Sequence, residues 1–166
     1  MSLEGDIALL KRIPLFADLP VEQLRLVAFS SVRVDLEADQ VLFREGAPAG
    51  TGYVVSSGKV ELTRGEGGAK RSVAVCETGS LIGELALFIE IQRPATATAA
   101  VASQLLEIDR KLITRMLHEY PHLALRLRAK LAERLTATMS ELSQVRHSLL
   151  ESDGGGAGGA GSDKRR

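Results

Sequence analysis

Residues 79–99 read Gly79-Ser80-Leu81-Ile82-Gly83-Glu84-Leu85-Ala86-Leu87-Phe88-Ile89-Glu90-Ile91-Gln92-Arg93-Pro94-Ala95-Thr96-Ala97-Thr98-Ala99. A strand-like pattern is interrupted at Gly83 by a short helix-forming run, followed by a turn bearing Arg93 and a return to alternation in Thr96-Ala97-Thr98-Ala99. A glycine that opens a short helix leaves amide N–H groups without intrahelical acceptors, here those of Leu85 and Ala86, and such groups suit an anion. An arginine that returns to the same helix end adds a charged fork for a phosphate. A carboxylate beside a phosphate repels it, so Glu84 is expected to turn away and accept a hydrogen bond from a sugar hydroxyl. Together these residues predict a small phosphorylated ribose as ligand. The purely structural alternative is a Glu84–Arg93 salt bridge that pins a loop, since surface pairs are common and contribute little.

Outward from this stretch the period is two. Val32, Val34 and Leu36 alternate with charged residues, and Val41-Leu42-Phe43, Tyr53-Val54-Val55, Val60 with Leu62, Val73 with Val75, and Leu106 with Ile108 form further runs. Gly46, Gly50, Gly52, Gly58, Gly65, Gly67, Gly68 and Gly79 punctuate them. Short strands joined by Gly-rich turns predict a mainly β fold, an antiparallel jelly roll or barrel over 31–109. Helices flank it. Over 1–30, Ile7, Leu9, Leu10 and Ile13 form a stripe ending at Pro14, and Pro20 opens a second helix with Leu24, Val27 and Ala28.

Beyond Asp109 the period is helical again over 110–150, with a short helix from Arg110 to about Glu119 and a long one from Pro121 to about Leu150. Leu131, Leu135, Thr138, Leu142, Val145 and Leu149 are spaced 4, 3, 4, 3 and 4 residues apart. That heptad seam predicts a two-stranded coiled coil holding a homodimer through 121–150, and the alternative is a helix packed along its own barrel. A helix of about 30 residues would span roughly 45 Å. Residues 151–166 are rich in glycine and lack large apolar side chains, so they are expected to be disordered.

Composition narrows the class. The 166 residues carry 21 Lys and Arg against 21 Asp and Glu, a net charge of zero, which argues against a dedicated nucleic-acid binder. Hydrophobic residues make up 45% and aromatics 4%, with no Trp, so the core is expected to be aliphatic. A single cysteine, Cys76, excludes an intramolecular disulfide, and in an alternating strand it reads as a small buried hydrophobe. No signal-peptide pattern or membrane-length apolar run is present, and a cytoplasmic location is expected.

Two motifs mislead. His118-Glu119-Tyr120-Pro121-His122 matches the zinc-protease pattern, but Pro121 breaks the helix that must carry both histidines, and no third ligand is suitably spaced. Gly52 to Lys59 is one residue too long for a phosphate loop, and Val60 replaces its metal-binding hydroxyl. With no nucleophile and orienting base either, catalysis, a metal and a cofactor are all not expected.

The central stretch closely resembles the phosphate-binding cassette of the cyclic nucleotide-binding domain. The family pattern runs Gly-Glu-Leu-Ala-Leu, a variable stretch, then Arg-x-Ala-Thr-x-x-Ala; Gly83 to Leu87, Arg93, Ala95, Thr96 and Ala99 match it. Ile13-Pro14-Leu15-Phe16, Arg44-Glu45-Gly46 and Tyr53-Val54-Val55 with Gly58 extend the resemblance, which runs from about Ile13 to Leu149. It implies that Glu84 binds the ribose 2′-hydroxyl, Arg93 the cyclic phosphate, and the Leu85 and Ala86 amides the phosphate oxygens. One departure stands out. Family members donate an amide to the phosphate from the residue after the arginine, and here that residue is Pro94, without an N–H. The loss is worth about 1.5–3 kcal/mol, or one to two decades in affinity. Where cGMP-selective members often carry Thr, Pro94 has no hydroxyl, which favours cAMP.

Catabolite activators in this family place a Thr of the dimer helix on the adenine amino group, and gap-free alignment puts it at Thr138. The neighbouring Ser is replaced by Met139. The alternative is that Thr138 only fixes the seam's register. Those activators continue into a helix-turn-helix, and 151–166 offers none, so direct DNA binding is not expected. The resulting expectation is a non-enzymatic cAMP sensor that signals through its C-terminal helices to an unnamed effector. The alternative is a non-binding interaction module with a vestigial cassette.

Overall fold

The computed structural model describes residues 2–134 and 136. Among the described residues, ten strands and three complete α-helices lie in a first unit, Met1–Leu125. Helix α1 (Leu3–Lys11) is capped by the Ser2 hydroxyl, which accepts from the Gly5 amide, and α2 (Val21–Ser30) starts directly after Pro20. The strands are β1 (Val32–Leu36), β2 (Val41–Phe43), β3 (Pro48–Ala49), β4 (Thr51–Ser57), β5 (Lys59–Arg64), β6 (Arg71–Glu77), β7 (Leu81–Ile82), β8 (Ile91–Gln92), β9 (Thr96–Ala99) and β10 (Ser103–Asp109). Helix α3 (Arg110–Glu119) follows β10 without a gap, and the Asp109 carboxylate caps it by accepting from the Lys111 amide at 2.8 Å.

The strands form two four-stranded sheets, β1-β10-β4-β7 and β2-β9-β5-β6, with β3 and β8 as a separate ribbon; every pairing is antiparallel. Leu36, Tyr53, Val55, Ile82 and Leu105 of the first sheet share a core with Val60, Ala97 and Ala99 of the second. This is the expected jelly roll. The first sheet is also covered on its other face. Val54 pairs with Leu106 one residue out of phase with Val55 and Leu105, and both are buried where α1, α2 and α3 meet β4 and β10. Burial on both faces explains why β4 reads as a continuous apolar run rather than an alternation.

The chain turns at Tyr120, which lies outside helical geometry (φ −127°, ψ 75°), and a further helix covers 121–134. His118 and His122 therefore fall on different helices, as the proline between them predicts. From Arg126 onward the chain belongs to a second unit, whose described residues are helical. The heptad positions from Leu135, the base-contact candidate Thr138 and the glycine-rich tail lie outside the described residues. Among those described, no helix is long and apolar enough to cross a membrane.

Candidate ligand pocket

The pocket is built where β7 ends. Strand β7 pairs with Tyr53 and Val54 of β4, then Gly83 turns the chain in the left-handed region (φ 76°, ψ 37°) into a 3₁₀ turn over Glu84–Leu87. Two reasons make this position glycine. The backbone conformation penalises any Cβ, and a Cβ built there would lie 2.6 Å from Arg93 Nη1 and 3.3 Å from the Thr51 carbonyl. The turn is anchored beneath by Leu87, which rests on Gly52, where a Cβ would come within 3.0 Å of the leucine Cγ.

Of the two amides expected to face a ligand, that of Ala86 donates to the Gly83 carbonyl at 3.2 Å. The 3₁₀ winding uses it to close its own first turn, and Ala86 is fully buried. Of the two amides expected to be open, this one thus has an intramolecular acceptor. A ligand oxygen at Ala86 would have to share an N–H already engaged in a long bond.

Arg93 follows β8, which pairs with β3. Its amide donates to the Ala47 carbonyl and its carbonyl accepts from the Gly46 amide, both at 2.8 Å, so its backbone is held on both sides. The side chain runs inward and is 5% exposed overall. Nη2 donates to Thr51 Oγ1 at 3.0 Å. The guanidinium carbon lies 4.1 Å from the Phe43 ring centroid and 5.5 Å from that of Tyr53, a cation–π arrangement that partly replaces lost hydration. Nε and Nη1 are buried without a hydrogen-bond partner. Burial lowers the pKa of Arg93 from its ordinary value, with Tyr53 and Glu107 opposing the shift. A guanidinium stays protonated in such a site. The Tyr53 hydroxyl is correspondingly raised above 10.0, chiefly by burial.

Around this cation lies an open pocket enclosing about 570 Å³ of empty space, part of it continuous with solvent. Its walls bring together Gly83, Glu84, Leu85, Arg93, Pro94 and Ala95 with Phe43, Leu62, Ile82 and Ile91, and Ala86 is not among them. A mostly apolar wall with a few convergent polar groups is the usual chemistry of small-molecule sites. Glu84 is half-buried on this wall. The Pro94 carbonyl accepts from Arg64 Nε at 2.7 Å, which fixes the bend that lacks the amide donor. Among the described residues no group of three or more His, Cys, Asp and Glu side chains could hold a metal ion.

Phe43, Thr51 and Tyr53 escape the sequence reading as site residues. They lie 40 or more positions before Arg93, and only the sheet topology brings them to it.

Comparison with known proteins agrees with this geometry. Residues 33–120 match the cyclic nucleotide-binding domain family. The cyclic AMP receptor protein of Thermus thermophilus is 34% identical over 134 residues, which are 80% of this chain and 62% of that protein. The chain thus spans about three fifths of this relative's length. The N-terminal domain of a transcriptional regulator from Streptomyces coelicolor superposes with a TM-score of 0.73 at 37% identity, over 81% of this chain and 94% of that one. The regulatory domain of Toxoplasma gondii PKA, solved with cAMP, superposes with a TM-score of 0.65 at 31% identity, over 68% of this chain and 43% of that one. A jelly roll with a glycine-opened turn aiming at a buried arginine, matched across more than half its residues, belongs to the cyclic nucleotide-binding domain family.

Proposed function

We propose that this chain is a regulatory sensor that binds a cyclic nucleotide, cAMP in preference to cGMP, and performs no catalytic step of its own. The observation that carries the reading is Arg93, a buried guanidinium with Nε and Nη1 unpartnered at the wall of an open pocket. Leaving charged donors unsatisfied costs free energy that a bound anion would recover. In this reading Arg93 takes the cyclic phosphate, Glu84 accepts from the ribose 2′-hydroxyl, and the Leu85 amide with Gly83, Ala86, Pro94 and Ala95 shapes the remaining contacts. The cAMP preference draws support from the Thermus relative's name, from the cAMP bound in the Toxoplasma structure, and from the absence of a hydroxyl at Pro94.

Ligand-driven movement of the turn passes to α3, which it touches, and onward to the C-terminal helices. A homodimer through 121–150, a base contact from Thr138 and an effector protein that reads the helices complete the proposal. To act as a switch, the chain must bind ligand more tightly in one arrangement than in the other. Titration calorimetry with cAMP and cGMP tests the core of it. Binding is expected, tighter for cAMP, and absence of heat and of thermal stabilisation at millimolar nucleotide sinks it.

A second reading, a non-binding interaction module, is favoured by two features of the same pocket. Pro94 cannot donate, and the Ala86 amide is already engaged. That reading requires silence in the same titration.

A further inference from the structure

Arg93 takes a positive charge into the interior, and in the absence of ligand something of opposite sign must offset its desolvation. The hydrogen bonds leading away from the guanidinium locate that charge. Nη2 donates to the Thr51 hydroxyl at 3.0 Å. The Thr51 hydroxyl donates in turn to Tyr53 Oη at 3.0 Å. Tyr53 then has its own proton to give, and Glu107 faces it in register across the β4–β10 ladder. Both bonds run the same way, from the arginine towards the Tyr53 hydroxyl on the strand opposite Glu107, so each polarises the next.

Two hydroxyls stand between the ion pair. Nε and Nη1 have no hydrogen-bond partner, and the Glu107 charge opposes the lowering of the Arg93 pKa by burial. We propose that Glu107, acting through Tyr53 and Thr51, is the resident counter-charge of Arg93 and weakens the pocket's hold on an anionic phosphodiester by competing for the same cation. The inference rests on the reading that this pocket takes a cyclic nucleotide. Glu107 is a positioning residue: it stabilises the empty protein and lowers its affinity through one interaction.

The test is titration calorimetry of the whole chain with cAMP, paired with thermal melts without ligand. Glu107→Gln keeps the shape and the acceptor for Tyr53 and removes only the charge. It is expected to bind cAMP about three- to tenfold tighter and to melt at a lower temperature when empty. Thr51→Val removes the first hydroxyl of the series and is expected to bind cAMP tighter than wild type, by less than Glu107→Gln. A merely structural role would move both variants downwards. Tyr53→Phe keeps the ring against Arg93 and removes the hydroxyl that holds Glu107 towards it. It is expected to bind tighter as well, by less, and it decides the matter if Glu107→Gln does not fold. Wild-type binding with no gain in either Glu107→Gln or Tyr53→Phe overturns the counter-charge, and Thr51→Val binding as wild type overturns the relay. Wild-type protein that binds no cyclic nucleotide overturns the pocket reading, and this inference with it.

Discussion

Two arginines meet the interior of this protein in opposite ways. Arg33 on β1 places Nη2 2.6 Å from Asp6 Oδ2, with Asp6 buried and Arg33 48% exposed along its side chain. Arg93 is itself the buried partner, and its hydrogen bond from Nη2 goes to an uncharged hydroxyl. The first pair fastens α1 to the edge of a sheet, with about half of the Arg33 side chain exposed. In the second, donors are held dry and unspent. The same side chain is a fastener where a carboxylate meets it directly and a receptor where carboxylates are kept at a distance.

The largest effect separating the two is expected from their removal. Arg93→Ala lowers cyclic nucleotide affinity by about two to three decades, the usual cost of truncating one side of a buried charged contact. Arg33→Ala leaves affinity within about twofold and lowers unfolding free energy by about 1.5–3 kcal/mol. Calorimetry and urea denaturation on both variants check this, and equal losses of binding would erase the distinction. Gly83→Ala comes next. A methyl 2.6 Å from Nη1 displaces the receptor arginine without touching its chemistry, and the left-handed backbone adds about 1–3 kcal/mol of strain. An affinity loss of one to two decades is expected, and unchanged binding would mean that Arg93 moves freely.

Glu84→Gln tests the sugar side of the pocket. It is expected to weaken cAMP by about tenfold and 2′-deoxy-cAMP hardly at all. Equal losses for both nucleotides would detach Glu84 from the 2′-hydroxyl. The smallest effect belongs to Pro94→Ala, which restores an amide donor beside the arginine at the cost of a looser unfolded chain. Affinity is expected to rise about fivefold, and a fall would show that proline's rigidity matters more than the missing donor.

Much of this comparison was legible in the residues, and the illegible part has a physical cause. Seven strands announce themselves by alternation or continuous apolar runs, and Gly83, Glu84 and Arg93 by the spacing of a turn. Strands β3, β7 and β8 are two residues each, too short to show a period, and they hold the cassette against the barrel. Residues Phe43, Thr51, Tyr53 and Glu107 look like ordinary strand positions. Thr51 and Tyr53 reach Arg93 from β4, and Phe43 from β2, which pairs with β9. Pairing of β4 with β10 brings Glu107 opposite Tyr53. All are long-range events with no local signature. The Ala86 amide shows a different limit: a helical pattern in four residues does not tell a 3₁₀ turn from an α-helical one, and that choice decides which N–H remains open.

The seat of Leu87 on Gly52 has a mechanical meaning. Gly52 lies between Thr51 and Tyr53, the two residues that steady the arginine, so the bearing under the turn and the brace under the cation are adjacent links of one strand. The turn that carries Leu87 also touches α3. A ligand drawn towards Arg93 would therefore load the bearing and the brace together, with α3 as the far end of a short lever. Gly52→Ala would raise that fulcrum while leaving every ligand contact in place.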